Sequence, residues 1–266
     1  MNTEEKTYII EGGEEGKKRL NVLSEILYDY TKSVIEEDGK ITGKKFLDVG
    51  SGGGNVALMA AKMVGETGHV TAIDFDAEIV RLAEAEAKSQ NVLNIQYAVT
   101  DAYKIDYNGE FDIAYSRFLL SHLEKPEMVL NNMLKSLKPG GRIIVEDIDF
   151  SGHFCYPPCS AFDAYIEYYI TAAKNTGQNP TMGLSLFQLF KTAGINNIRV
   201  DVVQPFYNEG IGKWMAYFTM DKIKNTVIRQ GLATAGIIEK VLSELKEFTE
   251  NPDTVMSLPR IFRVRG

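Results

Sequence analysis

The 266-residue chain is 44% hydrophobic and 24% charged, enough to bury the core of one domain with an insertion or small subdomain. Its formal net charge of −7 repels phosphate backbones and makes nucleic acid a poor default partner. Two cysteines, Cys155 and Cys159, are too few for a disulfide framework, and no apolar run approaches about 18 residues, so a reducing, cytoplasmic setting without a membrane span is expected. Only His153 lies near the two thiols, so no metal site is expected.

Met1 to Tyr8 carry no apolar run of signal-peptide type. Leu20, Leu23, Leu27, Tyr30 and Val34 recur at spacings of three and four, which predicts a helix over 16–37. Lys44 to Val49 reads as a short buried strand, a glycine-rich loop follows, and Asn55 to Val64 reads as a buried helix. His69 to Asp74 is the second strand, and Asp76 can cap the helix through Ile79, Leu82, Ala83 and Ala87. Asn94–Val99 and Phe111–Ser116 are the third and fourth strands. A helix over Glu127–Leu137, a turn at Lys138–Gly141 and a fifth strand over Arg142–Asp147 come next.

Strands alternating with helices predict parallel βαβ units, hence an α/β fold with an open, doubly wound sheet, regular over about 44–150. Residues 151–183 break the rhythm with three prolines and six aromatics and read as an insertion with its own helix. Leu184 to Ala193 is a helix ending at Gly194, Ile198 to Val203 a sixth strand, and 212–247 mostly helical. Leu258 to Val264 supplies a last strand.

A strand, a glycine-rich turn and a helix make a nucleotide-binding device, because the backbone comes close to a ligand and the helix offers unpaired N–H groups. Asp48, Gly50, Gly52 and Gly54 form D-x-G-x-G-x-G. A dinucleotide fingerprint fails from Gly50 and passes from Gly52 through Gly54 and Ala57, so the loop alone admits a dehydrogenase. Asp74 ends the second strand, where an acid accepts hydrogen bonds from the ribose hydroxyls of a nucleotide cofactor.

Phe46-Leu47-Asp48-Val49-Gly50-Ser51-Gly52-Gly53-Gly54 resembles the first motif of class I S-adenosylmethionine-dependent methyltransferases, of the small-molecule, ubiquinone/menaquinone-methyltransferase-like kind. Four further segments resemble that family in order: Val70–Asp74, Thr100-Asp101-Ala102, Phe111–Ser116 and Leu137–Gly141. The resemblance covers about 44–150. It implies a Rossmann-like, mostly parallel seven-stranded sheet, with residues 196–204 as the sixth strand and 258–265 as an antiparallel last strand. It implies a lid and first helix over 1–43, a cofactor-binding core over 44–150, a substrate-covering helical insertion over 151–183, and a remainder, 184–266, that completes the same domain. It also implies that Gly50, Ser51, Gly52 and Gly54 cradle the methionine part of S-adenosylmethionine while Asp48 orients the loop. Asp74 and Phe75 would meet the ribose end, and Asp101 and the Ala102 N–H the adenine.

At the edges of the site, Tyr8 and the Gly12-Gly13 segment suggest an ordered lid, and Arg19 suits the cofactor carboxylate. Ser116 and Arg117 follow the fourth strand at the carboxyl end of the sheet, where ligands bind. His122, His153 and the acids Glu146, Asp147 and Asp149 are the base candidates, Asp149 being the chosen acid. The plainer reading of His122, among leucines, is packing. Phe162, Tyr165, Tyr169 and Ala173 stand at helical spacing and read as core, leaving Phe154 and Tyr156 for the acceptor pocket.

The expected function is in-line methyl transfer to a small-molecule acceptor by a monomer or homodimer. Methylation of RNA or protein, or cofactor binding without catalysis, are the alternatives.

Overall fold

A computed structural model describes residues 13–266, with side chains from Asn21 onward. The first helix, α1 (Gly13–Ile35), buries Leu23, Leu27 and Val34, as the spacing requires, while Tyr30 faces outward. The alternating core then runs β1 (Lys45–Val49), α2 (Asn55–Val64), β2 (His69–Asp74), α3 (Ala77–Ser89), β3 (Ile95–Val99), β4 (Phe111–Arg117), α4 (Pro126–Ser136) and β5 (Leu137–Asp149). Asp76 caps α3 through the N–H groups of Glu78 and Ile79.

The Lys138–Gly141 segment is not a separate turn. It lies within β5, where the pairing jumps from Phe111–Leu137 to Ile113–Arg142, and Gly140 takes a left-handed φ of 79°. The strand absorbs the extra residues as a bulge.

The seven strands are ordered β3-β2-β1-β4-β5-β10-β7, where β7 is Arg199–Val203 and β10 is Arg260–Arg265. β10 runs antiparallel to both neighbours; β1 to β5 pair in parallel. The order reverses between β1 and β4, so a crevice opens beyond their carboxyl ends. Apolar side chains such as Phe46, Leu47, Ile73, Tyr115 and Ile144 are buried against helices on the two faces.

A second layer stands beside this sheet. Two-residue strands β6 (Cys155–Tyr156) and β8 (Phe206–Tyr207) flank β9 (Val255–Ser257) in a small antiparallel sheet. Helix α5 (Ser160–Asn175) packs on α7 (Met215–Arg229) and α8 (Ala235–Glu250), and Phe162, Tyr165 and Tyr169 are buried between them. The segment 151–183 therefore shares its core with the C-terminal helices. Helix α6 (Leu186–Thr192) runs to Ala193 and Gly194, whose φ of 76° closes it.

An arginine clamp fastens α1 to the antiparallel edge. Glu37 and Asp38, just beyond α1, meet Arg265, Arg199 and Arg142, and Asp201 on β7 meets Arg263 and Arg265 on β10. Arg199 and Arg142 hold Asp38 well below the usual carboxylate range.

Candidate active site

The glycine loop joins β1 to α2 at the topological switch point. Gly50, Gly52 and Gly54 have φ of 73°, 50° and 79°, so the alternate glycines of D-x-G-x-G-x-G are the ones the turn requires. Ala57 is buried inside α2, where the third position of a dinucleotide fingerprint also lies, so the loop by itself still fits either nucleotide cofactor. The N–H groups of Gly50 and Ser51 both donate to the Ile73 carbonyl at 2.9 Å. A Cβ at Gly54 would stand 2.7 Å from the Tyr97 hydroxyl and 2.9 Å from Ala83 Cβ, so only glycine fits that approach.

Four buried polar atoms around this loop have no hydrogen-bond partner among the described residues: Asp48 Oδ2, Ser51 Oγ, Tyr97 OH and Ser116 Oγ. Orphans of this kind are costly and call for an explanation. Burial lifts the Asp48 carboxyl to about 7, against the pull of the Arg117 guanidinium and with a further push from Asp74. A cationic ligand would satisfy Asp48 and hold it ionised. S-adenosylmethionine, with an ammonium at its methionine end, has the chemistry these atoms lack.

Asp74 is placed for the ribose. Its Oδ2 accepts the Gly52 N–H at 2.9 Å and its Oδ1 the Asp76 N–H at 3.1 Å, so it ties the loop to β2. Each oxygen keeps a second lone pair for a hydroxyl. Burial raises its pKa while those N–H groups lower it. Phe75, beside it, is half exposed. Asp101 accepts the Tyr103 N–H at 3.0 Å, and Asn132 Nδ2 donates to the Ala102 and Tyr103 carbonyls, which fixes the segment beyond β3.

On the α1 side of β4, Arg117 donates to Thr31 Oγ1 at 3.0 Å, and its guanidinium lies 5.7 Å from the Phe118 ring centroid. Thr31 in turn donates to Glu146 Oε2 at 2.8 Å, and Tyr115 OH donates to the same oxygen. Phe118 has a φ of 56°, a left-handed conformation that a bulky residue rarely adopts.

The three acids ending β5 are each engaged by other protein groups. Besides Glu146, Asp147 accepts the N–H groups of Ser121 and Ile148 at 3.0 and 2.8 Å, and burial raises it to about 6. Asp149 accepts both Ser151 N–H and Oγ–H and ion-pairs with Arg260 at 2.5 Å. Protein partners, some local and some distant in sequence, thus meet most of the polar atoms of these acids, and Asp149 Oδ2, ion-paired with Arg260, has no hydrogen-bond partner among the described residues.

His153 packs against Phe150, Phe162 and Tyr165, with ring centroids 4.5 to 5.9 Å away. Its ring nitrogens are buried, and burial drives its pKa down to about 3, against a weaker pull from the Ser257 backbone. So weakly basic an imidazole is a poor proton acceptor. His122 differs: it is half-buried on a short 3₁₀ turn, and its Nδ1 stands 3.0 Å from Gln178 Oε1.

Phe154 and Tyr156, expected in the acceptor pocket, are instead 46% and 69% exposed on the small sheet, where Phe154 neighbours Phe206. Tyr8 lies outside the described residues, as does the side chain of Arg19. Sequence reasoning missed Tyr97, which reads as an ordinary strand aromatic. Its strand follows a loop-facing acid by one crossover, but nothing local marks its hydroxyl.

The chain matches the methyltransferase domain family over residues 40–182, more than half its length. It is 29% identical over 138 residues to the ubiquinone/menaquinone biosynthesis C-methyltransferase UbiE of Escherichia fergusonii, covering 51% of this chain and 54% of that protein. The Salmonella arizonae UbiE matches to the same extent, so the chain spans about half the length of these curated relatives. Among solved structures, an S-adenosylmethionine-dependent methyltransferase from Aquifex aeolicus superposes with a TM-score of 0.54 at 24% identity, covering 73% of this chain and 93% of that one. A Haemonchus contortus phosphoethanolamine N-methyltransferase 2, solved with phosphomonomethylethanolamine and S-adenosylhomocysteine, gives a TM-score of 0.58 at 15% identity, covering 93% of this chain and 57% of that one. Among the described residues, no helix is long and apolar enough to cross a membrane. With its motif order, switch-point loop and antiparallel β10, the chain belongs to the methyltransferase domain family and has the class I S-adenosylmethionine-dependent methyltransferase fold.

Proposed function

We propose that the chain moves a methyl group from S-adenosylmethionine to a small-molecule acceptor. The observation that carries this reading is the set of orphaned atoms at the glycine loop, above all the Asp48 oxygen beside the ribose-ready Asp74. When bound, the cofactor supplies an activated methyl on a sulfonium, so no protein nucleophile is required. The chain has to hold donor and acceptor in line and exclude water. Asp48, Ser51 and Ser116 hold the methionine end, Asp74 the ribose, and Asp101 with Ala102 the adenine. Arg117 offers a guanidinium to the carboxylate of the donor or to an acidic oxygen of the acceptor.

The acceptor side is covered by the 151–183 segment with the C-terminal helices behind it. His122 is the proton acceptor for an acceptor that must lose a proton; His153, nearly unprotonatable, lines an apolar wall. The acidic chain, at −7, favours a small molecule over RNA. The two free thiols support a cytoplasmic setting.

Incubation with methyl-labelled donor and a panel of phenols, amines, carbon acids, bulk RNA and protein tests the reading. Label in a small molecule is the expected result. Label only in RNA or protein contradicts it, and donor binding without transfer to any class would make the chain a binding protein.

A further inference from the structure

The turn that follows β4 is braced on three sides. The Ser121 N–H donates to the buried Asp147 carboxylate, and the Ser121 carbonyl accepts the Asn179 N–H at 2.8 Å. The His122 N–H closes the turn on the Leu119 carbonyl. In a 3₁₀ turn, side chains three apart lie on the same side. Leu119 lies against the glycine loop, since a Cβ at Gly50 would stand 3.0 Å from its side chain, so the imidazole of His122 is carried on the loop's side of the turn.

Gln178 comes from beyond α5. Its own N–H is tied to the Ala173 carbonyl, and its neighbour Asn179 fastens the chain to Ser121, so the amide reaches Nδ1 from a fixed backbone. In the orientation that puts Oε1, and not the amide nitrogen, 3.0 Å from the ring, Nδ1 carries the proton and Nε2 the lone pair.

We propose that Gln178 is a positioning residue that sets the His122 tautomer, making Nε2 the proton-accepting atom toward the methyl acceptor. The inference rests on the methyl-transfer reading. In the step it serves, the acceptor's O–H or N–H proton passes to Nε2 as the acceptor's electron pair forms the new bond to carbon and the carbon–sulfur bond breaks. The imidazolium proton then leaves to solvent.

Nitrogen-15 NMR of the full chain with S-adenosylhomocysteine tests this directly. In the wild type, His122 is expected as the Nδ1–H tautomer. Gln178→Glu keeps an oxygen at that position and should retain the tautomer while raising the imidazole pKa by about one unit. The acid limb of the pH profile for whichever panel phenol or amine is methylated should move to higher pH with it. Gln178→Leu should give a mixture of tautomers. An Nε2–H tautomer in the wild type, or one titration curve in all three proteins, overturns the inference. Failure of the wild type to bind S-adenosylhomocysteine would instead overturn the methyl-transfer reading.

Discussion

The molecule carries two concentrations of charge, and they are built in opposite ways. In the clamp, Glu37, Asp38 and Asp201 each have an arginine in contact, and arginine hydrogen bonds lower Glu37 and Asp38 below ordinary carboxylates. At the glycine loop, Asp48 and Asp74 are raised by burial, and Asp48 Oδ2 has no partner among the described residues. Part-buried pairs tie the antiparallel strands to α1, and the exposed ones among them, such as those of Asp38, contribute modestly. Buried, unmatched carboxyls cost stability and hold their favourable interactions in reserve for a ligand. The difference separates charge used for the fold from charge kept for function.

The largest effect is expected at Asp74. Asp74→Ala removes the ribose acceptor and the tie to the Gly52 N–H, and should weaken S-adenosylmethionine binding by about 3 kcal/mol, on the order of 100-fold. Unchanged affinity in a folded variant, read by calorimetry, would take Asp74 out of the site.

Gly54→Ala comes next. A φ of 79° and a hydroxyl 2.7 Å from the new Cβ should cost about 2 kcal/mol in urea unfolding and reduce cofactor affinity. Adding Tyr97→Phe removes the clashing oxygen and an orphaned hydroxyl together, so part of the loss should return. No recovery would place the strain in the backbone and the Ala83 contact, not in the Tyr97 hydroxyl.

The Asp48 carboxyl sharpens the comparison through pH. Its folded value of about 7 lies above the ordinary 3.8, so the protonated form is the one the fold favours. That contribution is complete below about pH 3.8 and is lost as pH rises through about 7. Through Asp48 alone, the stability of the ligand-free wild type should therefore fall by about 3 kcal/mol between pH 5 and 8. Asp48→Asn should flatten much of that slope, leaving the smaller one from Asp147, which is raised to about 6 and acts with the same sign. Affinity for the cationic cofactor should run the other way, rising through about pH 7 as Asp48 ionises. A pH-independent affinity would show that Asp48 does not face the ammonium.

The clamp gives the smallest effect. Asp38→Ala should cost about 1 kcal/mol, less at high salt, with cofactor affinity unchanged. A loss of affinity would mean that α1 transmits the clamp to the loop.

The unequal legibility of the sequence follows the same division. The β1 to β5 core was readable because long buried strands alternate with capped helices, and Asp48, Gly50, Gly54 and Asp74 stand where local rules put them. The small sheet escaped because strands of two or three residues, such as Cys155–Tyr156 and Phe206–Tyr207, show no periodicity. Asp149 read as a candidate base because its partner, Arg260, lies far along the chain. Tyr97 and Gln178 escaped for the same reason: their roles arise from approaches to Gly54 and His122 that only the packed fold creates.

The central claim, that the orphaned atoms of the glycine loop await a methyl donor, is tested most directly by calorimetric titration of the wild-type chain at pH 8 with S-adenosylmethionine, and with NAD in parallel. Saturable one-site binding of S-adenosylmethionine, and none of NAD, is the result expected. Binding of NAD in its place, or of neither, would contradict the account.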